Sequence, residues 1–211
     1  MDKILPFEEN VKEYEEWFDK HNNVFLSEVA AILELMPEGD SLYGLEIGTG
    51  TGRFSEALGF KEGVDPSSAM RATAAKRGIN VRDAYAEDLP YHDLNFHVAL
   101  MVFSISYFES LHKAFKEAYR VLKDEGVLIV GFIDKDSPIG KLYESHKSGS
   151  IFYKHANFYS PERVSEELEK VGFKQLSYSQ TLFHPLDEIK EVESPQPGWG
   201  KGSFVLIRSI K

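Results

Sequence analysis

Cysteine is absent from this 211-residue chain, so neither a disulfide framework nor a thiolate metal site is open to it. That fits a reducing cytoplasm, the compartment expected for it. No stretch approaches the ~18 uninterrupted apolar residues of a membrane span. The N-terminal "MDKILPFEENVKEYEEWF" lacks the apolar core of a signal peptide. Low-complexity tracts and internal repeats are missing too. Positive charge is sparse: 24 Lys and Arg against 34 Asp and Glu give a formal net charge of −10. Such a field repels nucleic acid unless a basic patch overcomes it, and the sequence shows none. No two of the seven histidines have H-x-x-x-H spacing, so no metal is expected. What remains is 42% apolar residues, enough for a sizeable core in one domain.

The hydrophobic periods order that core. Phe7, Val11, Tyr14, Phe18 and His21 recur at helical spacing, predicting a helix over 7–21, and Val29, Ile32, Leu33 and Met36 predict a second over 23–36, ended by "PEGD". A short strand follows at 43–47, then a glycine turn and a helix near 53–58. "KEGVDPSS" reads as a second strand and a turn, with Ser67 capping a helix to about 77. "NVRDAYAED" reads as the third strand. "FHVALMVF", 96–103, is apolar almost throughout, as a strand buried on both faces should be. A helix over 111–123, closed by "DEG", leads to the fifth strand, "VLIVGFI". This alternation implies a parallel sheet covered by helices.

The C-terminal part differs. "SPERVSEELEKVGF" has Ser160 at N-cap, Pro161 in the first turn and Gly172 past the end of a helix. The last two strands, "FKQLSYSQTLF" and "GSFVLIRSI", are separated by about twenty residues without helical period. A parallel crossover normally needs a helix, so these two strands are expected to pair antiparallel. Residues 134–159 read as an irregular insertion over the C-terminal edge of the sheet, where open α/β sheets hold ligands.

"LEIGTGTGRF", 45–54, packs Gly48, Gly50 and Gly52 between a strand and a helix. Such a turn lets backbone approach a ligand closely. The spacing G-x-G-x-G misses the dinucleotide fingerprint by one position, and "TGRF" lacks a Walker ending. Glu46 stands two residues before the first glycine. A carboxylate there repels a pyrophosphate and attracts an ammonium or a sulfonium, by ~1 to 4 kcal/mol depending on local dielectric. Asp65, 19 residues on, sits at the end of the second strand, where a carboxylate accepts the hydroxyls of an adenosine ribose.

"LEIGTGTG", "GVDPSSAM", "AEDLPY", "FHVALMVFS" and "VLKDEGVLIVGF" together resemble the successive motifs of class I S-adenosylmethionine-dependent methyltransferases, of the ubiquinone and menaquinone C-methyltransferase group. The resemblance covers 43–133 closely and the whole chain loosely. It implies a Rossmann-like, seven-stranded α/β sheet, mostly parallel with an antiparallel C-terminal strand, helices on both faces and an N-terminal helical cap. It implies S-adenosylmethionine as cofactor and S-adenosylhomocysteine as product. By resemblance, Gly48, Thr49, Gly50 and Gly52 border the methionine part of the cofactor, Glu46 faces its amino group, and Asp65 and Pro66 lie at the ribose. Met70, Ala86 and Glu87 border the adenine, and Phe103 and Ser104 lie beside the methyl-donor end. Tyr85 and His97 depart from the family, which often has aspartate at both places.

The chain then divides as one domain: a helical cap at 1–36, a cofactor-binding core at 37–133, the insertion at 134–159, and the C-terminal helix and two strands at 160–211. Tyr14 and Trp17, in "YEEWF", are candidates to face the acceptor, and Tyr107 and Trp199 lie on segments expected to rim the pocket. His21, Tyr14 and Tyr107 are the groups nearest to a general base, but no catalytic residue is assigned. The expected activity is methylation of a small-molecule acceptor, an amine or a hydroxyl, by a monomer or homodimer without nucleic-acid or membrane partners. RNA methylation, nicotinamide-dependent oxidoreduction and cofactor binding without turnover stay open as alternatives.

Overall fold

A computed structural model describes residues 3–39 and 42–211. The first two residues of the expected cap, and the end of the "PEGD" stop at Asp40, lie outside the described residues. Three helices come first: α1 (Leu5–Glu9), α2 (Val11–Lys20) and α3 (Asn22–Leu35). The single helix expected over 7–21 is broken at Asn10, which leaves helical geometry at φ −125°, ψ 40°. Its backbone N–H and side-chain Nδ2 both donate to the Pro6 carbonyl, at 3.1 and 2.8 Å, and so close α1.

The core alternates β1 (Gly44–Ile47), α4 (Arg53–Leu58), β2 (Glu62–Val64), α5 (Ser68–Lys76), β3 (Asn80–Arg82), β4 (Phe96–Val102), α6 (Leu111–Val121) and β5 (Leu122–Ile133). Ser67 caps α5, its hydroxyl accepting from Met70 N–H. The third strand is shorter than "NVRDAYAED" implied and ends at Arg82. Strand β5 starts at Leu122, earlier than expected, and "DEG" falls within it, where its pairing with β4 shifts and Glu125 takes φ 60°.

Then come α7 (Pro138–His146), α8 (Pro161–Val171), β6 (Lys174–Thr181), β7 (Gln196–Pro197) and β8 (Phe204–Ile210). Helix α7 corrects the reading of 134–159 as wholly irregular. Ser137 caps it by accepting from Gly140 N–H at 3.0 Å, with Pro138 at the first helical position. Ser160 and Pro161 start α8 in the same way, so the Ser-Pro pair was the overlooked signal.

The strands form one sheet in the order β3-β2-β1-β4-β5-β8-β6-β7. The first five are parallel. Strand β8 runs antiparallel between β5 and β6, as the helix-free connection required. The seven expected strands are joined by an eighth, the two-residue β7, on the edge of β6. On one face of the sheet, Leu111, Phe115 and Ala118 of α6 pack with Val164 and Leu168 of α8. On the other, Val29 and Ile32 of α3 pack with Phe54 of α4. Strand order reverses between β1 and β4, which opens a crevice at their C-terminal ends. No helix among the described residues is long and apolar enough to cross a membrane.

Candidate active site

The turn after β1 is fixed by the neighbouring strand. Gly48 and Thr49 N–H donate to the Val64 carbonyl at 2.9 and 3.0 Å, and Thr49 Oγ1 donates to the Glu46 carbonyl at 3.0 Å. Two glycines are sterically required. A Cβ on Gly48 (φ +78°) would overlap the side chain of Ser104, and one on Gly52 (φ +83°) would come within 2.5 Å of Ile79 Cδ1. Ser104, in turn, donates its hydroxyl to the Ile47 carbonyl at 2.8 Å, tying the end of β4 to the end of β1.

Asp65 directly follows β2 and is 8% exposed. Its carboxylate accepts from Gly50 N–H at 2.7 Å and from Ser67 N–H at 2.9 Å. Burial pushes its pKa up to about 6, against the pull of those two N–H groups. Glu46 is buried behind the turn, accepting at Oε2 from the backbone N–H and the hydroxyl of Ser55. Burial raises its pKa to about 8. Glu87 lends one oxygen to the N–H groups of Glu109 and Ser110, ahead of α6.

A cavity of about 450 Å³ opens from this turn. Gly48, Gly50, Asp65, Pro66, Met70, Ala86, Glu87, Phe103 and Ser104 line it. Glu46, Thr49 and Gly52 are not on its wall; they support the turn from behind. Phe103 holds φ 59° at the mouth of β4, a conformation that costs a non-glycine residue of order 1 kcal/mol or more and clusters at functional sites.

The cap closes the far side. Tyr14, Trp17 and Tyr107 all line the cavity, joined by Phe7, Phe152 and Tyr153. Phe7 packs edge-on to Tyr107 at 4.8 Å between ring centroids, and Tyr153 stacks on Tyr143 at 4.4 Å. Burial raises the phenols of Tyr14 and Tyr107 far above their ordinary range, which holds them protonated. His21 is not on the cavity wall; it packs on Trp17. Trp199 is also elsewhere, packed at a tilt against Tyr178 and donating to Glu162 at 3.2 Å. Among the wall residues not anticipated is a carboxyl, Glu28 of α3. The signal for it was a carboxyl within the apolar stripe Val24, Glu28, Ile32.

The residues present fit an adenosyl-amino acid. The Gly48–Gly50 backbone is open to the cavity, and the Asp65 carboxylate keeps lone pairs for ribose hydroxyls beyond the two N–H groups it already accepts. Known proteins agree. The family described as Methyltransferase domain matches residues 45–130. An uncharacterized protein of Methanocaldococcus jannaschii is 43% identical over 205 residues, covering 97% of this chain and 98% of that one. A demethylmenaquinone methyltransferase of Chlorobaculum tepidum is 30% identical over 165 residues, covering 66% of this chain and 68% of its own. The crystal structure of a Thermotoga maritima SAM-dependent methyltransferase, described as a possible histamine N-methyltransferase, superimposes with a TM-score of 0.95 at 45% identity over 99% of both chains. A glycine turn without phosphate spacing, a buried carboxylate at the end of β2 and these relatives converge: the chain belongs to the class I S-adenosylmethionine-dependent methyltransferases, and S-adenosylmethionine is its cofactor.

Proposed function

We propose that this methyltransferase acts on a small organic acceptor, an amine or a hydroxyl compound, held under the N-terminal helices. The observation that carries the reading is one continuous cavity, which runs from the glycine turn to the aromatic underside of the cap. S-adenosylmethionine, when bound, supplies a methyl group already activated on sulfonium sulfur. The chain's task is then alignment and exclusion of water rather than strong acid–base chemistry. The Gly48 and Gly50 backbone borders the methionine part, and Asp65 accepts from the ribose. Met70 and Ala86 flank the adenine, with Glu87 at its edge. Phe103 and Ser104 stand where the methyl group emerges. Glu46 acts on the cofactor's ammonium through its charge from behind the turn. Tyr14, Trp17 and Tyr107 form the acceptor wall.

The relatives' names span a possible amine acceptor and a demethylated quinone, so they do not choose between nitrogen, oxygen and carbon. An aromatic-lined cavity and a net charge of −10 favour a small molecule over RNA. Calorimetry with S-adenosylmethionine and with NAD, followed by an acceptor screen with radiolabelled donor, tests the reading. Binding of the sulfonium alone and label transfer to a small acceptor are expected. Label transfer only to RNA, or S-adenosylhomocysteine binding without any transfer, overturns it. Asp65→Ala is expected to cost about 1 to 3 kcal/mol of cofactor affinity, the value of hydrogen bonds to a carboxylate.

A further inference from the structure

The cavity wall holds a deeply buried carboxyl that the cofactor does not use. Glu28 lies in the middle of α3, four residues from Val24 and four from Ile32, both buried. This i, i+4 stripe faces inward, so the fold itself carries Glu28 to the cavity. The residue is 1% exposed and lines the cavity. No hydrogen-bond partner reaches its Oε2 among the described residues. Burial alone drives its carboxyl well above the ordinary range, and no neighbouring cation offsets that effect. Tyr143, whose own phenol feels the Glu28 charge, lines the same cavity.

A buried carboxyl without a partner is costly, and a leucine or methionine would fill the same place in the stripe at no such cost. The other wall groups do not supply the missing partner. Rings are prominent among them, Trp17, Phe18, Tyr143 and Tyr153, and the cation on the wall, Lys3, is engaged with the Phe108 carbonyl and Glu109. Aromatic faces attract cations and give little to a neutral hydroxyl. Carboxyl and rings therefore share one preference.

We propose that Glu28 is the recognition carboxylate of the acceptor subsite, and that the acceptor is an amine which brings the positive charge this carboxylate lacks. The inference rests on reading the capped cavity as a methyl-acceptor site. It narrows that reading from amine or hydroxyl to amine. Glu28 binds and orients the acceptor; it makes and breaks no covalent bond.

The test uses the full chain saturated with S-adenosylhomocysteine, with binding as the readout. Histamine and 2-phenylethylamine serve as amine probes, and 2-phenylethanol as the neutral match. At least one amine is expected to bind at least tenfold more tightly than the alcohol. Glu28→Gln keeps the shape and removes the charge, and is expected to abolish that preference while S-adenosylhomocysteine affinity stays within twofold. Glu28→Met is expected to lose amine binding and to hold or raise the melting temperature of the ligand-free protein. Equal binding of amine and alcohol, no amine binding, or a preference that survives Glu28→Gln overturns the proposal. So does a fall in melting temperature in Glu28→Met, which would show the carboxyl to be held by the fold. Failure of the wild type to bind S-adenosylhomocysteine is a separate result; it removes the cofactor reading on which the proposal stands.

Discussion

Two carboxyls of the glycine turn hold their protons more tightly folded than unfolded. Glu46 rises to about 8 and Asp65 to about 6, both by burial. Between pH ~4 and 8 the unfolded chain has ionised these groups while the folded chain still holds protons. The unfolded state therefore binds fewer protons, and folding stability falls as pH rises through this window. Each tenfold difference in proton affinity is worth about 1.4 kcal/mol. The ligand-free protein is expected to lose stability in urea melts between pH 5 and 8, and Glu46→Gln is expected to flatten that slope. An equal slope in the variant would assign the loss to other groups. An incoming cationic cofactor favours the ionised form, so binding at pH 7 is expected to release protons, seen as a dependence of calorimetric heat on the buffer's ionisation enthalpy. Gly52→Ala tests steric need at the same scale. With φ +83° and Ile79 in the way, it is expected to cost about 1 to 3 kcal/mol in denaturant melts.

Among elements, the cap is tied to the cofactor half of the fold by charge. Glu15 of α2 accepts from Arg53 at 2.9 Å and from Arg77 at 2.6 Å, and Arg77 also donates to the Thr51 carbonyl at 3.0 Å. Glu8 of α1 accepts from Ser67 Oγ at 2.6 Å and from the Ser68 hydroxyl at the start of α5. The cap thus rests on the two segments that border the cofactor. Glu15→Ala leaves two half-buried arginines short of a partner and is expected to loosen α2. The check is limited proteolysis: faster cleavage near Asn10, slowed again by S-adenosylhomocysteine. Cleavage at the wild-type rate would show that apolar packing alone holds the cap. Legibility follows from range at this scale. Ser67, Ser160 and Gly172 mark helix ends through contacts within four residues, and their sequence signals held. The break at Asn10 and the helix after Ser137 were also local, but the aromatic spacing ran through one and the turn residues around the other masked it.

For the molecule as a whole, the cavity couples binding to stability. S-adenosylhomocysteine at a hundredfold excess over its dissociation constant adds about 2.7 kcal/mol to folding stability. In a chain of this size that corresponds to a rise of roughly 5 to 10 °C in melting temperature. No rise would mean that the cavity does not take the cofactor. The net charge of −10 predicts weak RNA retention at low salt, and tight binding with a steep salt dependence would contradict it.

The sequence by itself determined the order of the core elements from β1 to β5, the antiparallel ending, the glycine turn and the positions of Glu46 and Asp65. These rest on periodicity and on residues whose partners lie nearby along the chain. Only the tertiary structure decided that Glu46 sits behind the turn and not on the cavity wall, that Tyr14, Trp17 and Tyr107 meet around one space, and that Glu28 faces it without a partner. Those facts are contacts between segments up to a hundred residues and more apart. A carboxyl in an apolar stripe reads the same in a sequence whether the fold gives it a partner or a cavity, because desolvation is set by what packs around it.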